Sequence, residues 1–93
     1  MNPLVSIITP AYNAGGYLDS FFLSVLEQDY DNYEMIIVND GSTDNTEDKI
    51  LSYKKVFERR GIRFVYLNQE NGGQAKALNL AFPHMRGEYF IWP

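Results

Sequence analysis

Three times along this chain a short run of β-branched and aromatic residues is followed by a stretch whose apolar residues recur at helical spacing, and a fourth such run comes at the end. No other feature limits the possible folds so tightly. The runs are Leu4 to Thr9, Met35 to Asn39, Ile62 to Leu67 and Tyr89 to Trp92. Between the first two, Leu18, Phe21, Phe22 and Val25 fall on one helical face; Ile50, Tyr53 and Phe57 do so in the next interval, and Leu78, Ala81, Phe82 and Met85 in the third. The spacing predicts an α/β fold of order β-α-β-α-β-α-β. Alternation at about thirty residues per unit calls for right-handed crossovers and a mainly parallel sheet covered by helices. The nearly all-apolar strands agree with burial on both faces. Asp44 with Glu47 three residues later has the form of a capping box, and Gly61 and Gly87 sit where helices should stop.

Composition narrows the classes of function. With 93 residues, 45% of them hydrophobic, the chain has enough apolar material for one small core and no more than one domain. A net charge of -4 gives no basic face for nucleic acid or anionic lipid. The absence of cysteine excludes disulfides and thiolate metal sites and is consistent with a cytoplasmic location. Leu4 to Pro10 is too short for a signal segment, and no stretch approaches a membrane span.

Ligands of open parallel sheets bind beyond the carboxyl ends of the strands. Three polar segments fall there: Thr9 to Asn13, Asp40 to Asp44 and Asn68 to Gln74. Asp40 follows an apolar strand directly, so its carboxylate is expected either to accept a hydrogen bond from a ribose hydroxyl or base N–H, or to form an Asx turn before Gly41. Tyr12 either stacks on a base or covers the edge of the core. Pro10 stiffens the first loop or simply ends the strand. Gly72 and Gly73, ahead of a helix, allow backbone to approach a diphosphate, although their spacing is neither GxGxxG nor a P-loop. Lys76 either offsets phosphate charge or is an ordinary exposed helix lysine. His84, beside Arg86 near a helix end, suits the helix dipole and receives no catalytic role. The charged run from Glu47 through Arg60 has the pattern of a solvated helix face.

Taken together, VSIITPAYN (Val5 to Asn13), YLDSFFLSVLEQDYDNYEMIIVNDGSTDNT (Tyr17 to Thr46), NGGQAKALNLAF (Asn71 to Phe82) and GEYFIW (Gly87 to Trp92) resemble family 2 glycosyltransferases in order and spacing. The resemblance covers nearly the whole chain. It implies the Rossmann-like half of a GT-A fold, and transfer of a sugar from a nucleotide diphosphate donor, commonly UDP-linked, to an acceptor hydroxyl with inversion. It also implies a sugar or lipid-linked acceptor and a role in polysaccharide synthesis, at the inner face of the membrane or in the cytoplasm. Carried over by position, Ala11 and Tyr12 line the base pocket, Thr9 and Pro10 shape the first loop with Pro10 counted among the nucleotide-binding residues, Asp40 contacts the uracil or ribose, and Asn71 and Gly73 border the donor site; Thr9, Asn13, Asn39 and Lys76 are secondary candidates. This chain has Asn39 then Asp40 where the family has two aspartates, Leu78 where many members have arginine, and Gln74 where some have lysine.

In the family the GEYFIW-like strand runs into an Asp-x-Asp motif that binds Mg²⁺ or Mn²⁺ at the donor diphosphate, and the general base follows later. Both lie past Pro93, so residues 1–93 are expected to be the N-terminal nucleotide-sugar-binding part of a longer enzyme, with no catalytic residue or metal ligand of their own. The exposed edge of such a half-sheet is expected to favour self-association. A non-catalytic nucleotide-binding or interaction module is the alternative of a different class. A receiver domain shares the βα order but calls for an acidic cluster after the first strand, where Thr9 to Asn13 stand.

Overall fold

Strand β2 (Tyr33–Asp40) is buried at every position, polar residues included, and a strand buried on both faces belongs at the centre of a sheet. The structure, a computed structural model, describes residues 3–91. In chain order its elements are β1 (Val5–Ala11), α1 (Leu18–Glu27), β2, α2 (Thr46–Arg59), β3 (Phe64–Gln69), α3 (Gln74–Ala81), a 3₁₀ turn (Phe82–His84) and β4 (Tyr89–Ile91). The four strands form one parallel sheet of order β3-β2-β1-β4. This is the predicted alternation, with strands extended or trimmed by up to two residues at either end. Trp92, placed by sequence in the last strand, lies outside the described residues.

The connections run outward from β1 through β2 to β3 and then reverse to reach β4 on the other side of β1. The helices divide accordingly. With side chains alternating along each strand, Ile7, Ala11, Met35, Ile37 and Phe64 face Leu18, Phe22 and Val25 of α1 and Ile50 and Phe57 of α2. On the opposite face Ile8, Ile36 and Val38 meet Ala77 and Ala81 of α3. The first core is aromatic at its centre: the Phe22 ring lies 5.7 Å from Phe57 in a T-shaped contact, and Phe57 lies 5.4 Å from Phe64. The second is built on alanines, so α3 can approach the sheet closely.

Local expectations fared unevenly. Gly61 ends the α2 segment at φ +78, a conformation natural to glycine. The Asp44–Glu47 capping box does not form. Asn45 is the N-cap residue, Asp44 accepts from the Thr46 amide at 3.0 Å, and Glu47 takes the Tyr66 hydroxyl at 2.8 Å. Gly87 is no helix stop, because the helical segment ends earlier, at Pro83–His84. Glycine is required there because a Cβ would stand 2.5 Å from Ser6 Oγ and 2.8 Å from the Leu4 carbonyl. Phe82 leaves the α3 face at the 3₁₀ turn and is exposed, its ring 5.2 Å from that of Phe90 on the β4 edge.

A carboxylate that sequence reading overlooked holds the amino end of the sheet. Glu34 is 1% exposed. It accepts hydrogen bonds from Ser6 Oγ at 2.6 Å, Arg63 at 2.6 Å and the Arg86 amide at 2.7 Å. Arg63 also donates to the His84 carbonyl at 2.8 Å, so β1, β2, β3 and the approach to β4 meet at one group. Burial pushes the Glu34 pKa up, but the hydrogen bonds from Ser6, the Arg86 amide and Arg63, with the Arg63 charge, outweigh it and hold the carboxyl below its ordinary value. A depressed folded-state pKa means that this stabilisation is complete above the ordinary glutamate range and is lost as pH falls through the folded value. Glu34→Ala, which strips the buried Ser6 hydroxyl and the part-buried Arg63 and Arg86 donors of their acceptor, should lower unfolding stability by about 3 kcal/mol at neutral pH, with the deficit shrinking in acid. Denaturant titration at two pH values checks this; a variant as stable as the wild type would remove Glu34 from the account.

Candidate functional site

The parallel sheet brings three loops to its carboxyl edge, and side-chain-to-backbone bonds join them in pairs. The first and second loops meet at Asn13, whose Oδ1 accepts from the Thr43 amide at 2.8 Å and whose amide donates to Ser42 Oγ at 3.0 Å. Asn13 adopts φ +47, a left-handed conformation that asparagine tolerates better than most residues. One residue on, the Ala14 amide donates to buried Thr46 Oγ1 at 2.8 Å, and the Gly15 amide to Asp44 at 3.2 Å. Asn39 is also internal. It accepts from the Ser42 amide at 3.1 Å and donates to the Tyr66 hydroxyl at 3.1 Å, on the face toward α2.

Asp40 joins the second and third loops. Its carboxylate, 6% exposed, accepts on Oδ1 from Gln69 Nε2 and the Gly72 amide, each at 2.8 Å, and on Oδ2 from the Gly73 amide at 3.2 Å and Asn71 Nδ2 at 3.4 Å. Asn71 Nδ2 also reaches the Asp40 carbonyl at 3.1 Å. The backbone is shaped for this contact. Gly41, at φ +70, lies so close to the third loop that a Cβ would be 2.7 Å from the Asn71 nitrogen. Gly73, at φ +89 and ψ 176, occupies a region essentially restricted to glycine. The Gly72 and Gly73 amides, expected to approach a diphosphate, therefore turn inward to Asp40, whose charge already complements the N-terminus of α3. Hydrogen bonds from Gln69 and the Gly72 amide, aided by Gly73 and Lys76, hold the Asp40 carboxyl below its ordinary value.

A cleft of about 200 Å³ opens beside this assembly, lined by Pro10, Ala11, Tyr12, Tyr17, Asp40 and Gln74. Four of these are among the residues singled out from sequence. Tyr17 is not, and Gln74 is noted there only as standing where some family members have lysine. Tyr12 and Tyr17 are 53% and 50% exposed, whereas Ala11 beneath them is buried. Asn71 and Gly73 reach the cleft only through Asp40. Thr9 is buried on the α1–α2 side with its hydroxyl unpartnered, and Lys76 is exposed on α3. Among the described residues no group of three or more His, Cys, Asp or Glu side chains is placed to hold a metal ion, and no helix is long and apolar enough to cross a membrane.

The model of the family described as "Glycosyl transferase family 2" matches residues 6–93. The chain belongs to that family. An uncharacterized glycosyltransferase of Rickettsia typhi is 47% identical over 91 residues, covering 98% of this chain and 26% of that protein. TuaG of Bacillus subtilis, whose name assigns it to teichuronic acid biosynthesis, is 49% identical over 87 residues, covering 94% of this chain and 33% of that protein. The family 2 chain thus spans about a quarter to a third of the length of these relatives. Among solved structures, a mannosyltransferase of Pyrobaculum calidifontis in complex with GDP-Man and Mn²⁺ superposes with TM-score 0.85 at 28% identity, over 95% of this chain and 26% of that one. TarS of S. aureus in complex with UDP-GlcNAc gives 0.77 at 28% identity, over 95% and 25%. The fold is the Rossmann-like half of GT-A.

Asp40→Asn keeps the shape of the side chain but sets an amide donor against the donors of the third loop. It should cost about 1–3 kcal/mol and raise hydrogen exchange at the Gly72 and Gly73 amides at least about tenfold. Because the folded pKa is depressed, wild-type protection of these amides should be full at neutral pH and decline only as pH falls through that lowered value. Unchanged exchange in the variant would separate the loop from Asp40.

Proposed function

We propose that this chain forms the nucleotide-binding part of a longer family 2 glycosyltransferase, and that its cleft holds the nucleoside of a nucleotide diphosphate-sugar donor, a UDP-sugar in the first instance. The observation that carries the reading is the cleft itself: two half-exposed tyrosines and a carboxylate at the carboxyl edge of a parallel sheet, beside the reversal in strand order where such sheets take ligands. The similar structures bound to GDP-Man and UDP-GlcNAc support it.

In this reading Pro10 and Ala11 present rigid backbone to the nucleoside, Tyr12 stacks on the base, and Asp40 accepts a hydrogen bond from base or ribose while fixing the third loop. Asn71 and Gly73 serve the donor by keeping that loop against Asp40; Thr9, Asn13 and Asn39 hold the surrounding backbone, and Lys76 adds positive charge nearby. Transfer goes to an acceptor hydroxyl on a sugar or lipid-linked chain, with inversion, in cytoplasmic glycan synthesis. In the longer enzyme a bound divalent cation, Mg²⁺ or Mn²⁺, would supply charge neutralisation for the departing diphosphate. The described residues offer no ligand set for it, so this chain's part is confined to binding and orienting the nucleotide. The β4 edge, paired only with β1 among the described residues, is where self-association would occur.

The full-length protein should bind UDP in the presence of Mn²⁺, and Tyr12→Ala should weaken binding by about tenfold through lost stacking without lowering the unfolding midpoint. Calorimetry giving no UDP or GDP binding would refute the assignment of the cleft.

A further inference from the structure

We infer that Tyr17 is a second aromatic wall of the nucleoside site and makes direct ring contact with the bound nucleoside, an inference that rests on the proposed reading of the cleft. Tyr17 stands just outside α1, and its position is fixed by backbone rather than by its ring. Its amide donates to the Ala14 carbonyl at 3.0 Å, and its carbonyl accepts from the Phe21 amide at 3.1 Å. The next residue, Leu18, is fully buried, and Ala14 is itself tied to Thr46. The ring projects from this rigid turn half-exposed, and among the described residues its hydroxyl has no hydrogen-bond partner.

Tyr12 has the same character. It follows buried Ala11 and precedes Asn13, which is bonded to the second loop, and its ring too is half-exposed with an unpartnered hydroxyl among the described residues. Two aromatic rings held on stiff backbone and left open to water beside one cleft are a costly arrangement for the free protein. They are a favourable one for a flat ligand, because the backbone that carries them is already ordered and a tyrosine has only two side-chain torsions to lose on binding. Asp40 and Gln74, which line the same cleft, supply an acceptor and an amide for the polar edge of such a ligand. At about 200 Å³ the space is below the about 300–1,000 Å³ of pockets that enclose drug-sized ligands, which suits one ring system with its ribose rather than the whole donor.

The test is calorimetric titration of the full-length protein with UDP and with UMP, in the wild type, Tyr17→Leu and Tyr17→Phe. Leucine keeps apolar bulk but removes the aromatic face; phenylalanine keeps the face and removes only the hydroxyl. Tyr17→Leu should raise Kd about tenfold for UDP and by the same factor for UMP, because the contact is to the nucleoside and not the diphosphate. Tyr17→Phe should stay within about twofold, and the unfolding midpoint should not move in either variant. Wild-type affinity in Tyr17→Leu would overturn the inference while leaving the cleft assignment standing, and a loss in Tyr17→Phe equal to that in Tyr17→Leu would contradict ring contact. Absence of UDP binding in the wild type would instead remove the reading on which the inference rests.

Discussion

The Asp40 carboxylate, buried at the end of the central strand and surrounded by N–H donors of the third loop, is the contact on which the shape of the site depends. A buried carboxylate without such donors would be expensive, and a glycine-rich loop without a fixed acceptor would have little to order it. Each makes the other tenable. Glu34 has the corresponding role at the opposite end of β2, on the same face of the strand, where it gathers Ser6, Arg63 and the Arg86 amide. Between them Ile36 and Val38 pack on the alanines of α3. One strand face thus carries an apolar middle with an anionic anchor at each end, one organising the loops of the carboxyl edge and the other the approach to β4.

Much of this was legible in the sequence because it depends on period and position. Alternating strand and helix patterns gave the element order, and the parallel sheet that follows brings Pro10–Tyr12, Asp40 and Asn71–Gly73 to one edge. What could not be read was which polar groups would satisfy one another. Asn13 and Asn39 look like ligand contacts in a motif, yet each is committed to loop backbone, and the Gly72 and Gly73 amides are turned to Asp40. Glu34 sits one residue into an apolar strand, where nothing local reveals that Ser6 of β1 and Arg63, just before β3, will converge on it. Tyr17 escaped notice because the turn that aims it depends on Ala14 being held by Thr46, thirty-two residues away in sequence.

Family membership, fold and site support one another without being the same claim. The family match and the GT-A superposition establish what kind of chain this is. The role of the cleft is argued from its own chemistry: an aromatic pair, an oriented carboxylate and stiff backbone at a strand-order reversal. On the proposed reading, what these residues contribute is recognition of the nucleoside.

The most direct test is a crystal structure of the full-length protein with bound UDP. The account predicts the uracil and ribose between Tyr12 and Tyr17, within hydrogen-bonding distance of Asp40, with the third loop still bonded to that carboxylate. A nucleotide bound elsewhere, for instance in the groove between α1 and α2 lined by Asp19, Lys49 and Tyr53, with the cleft left empty, would contradict it.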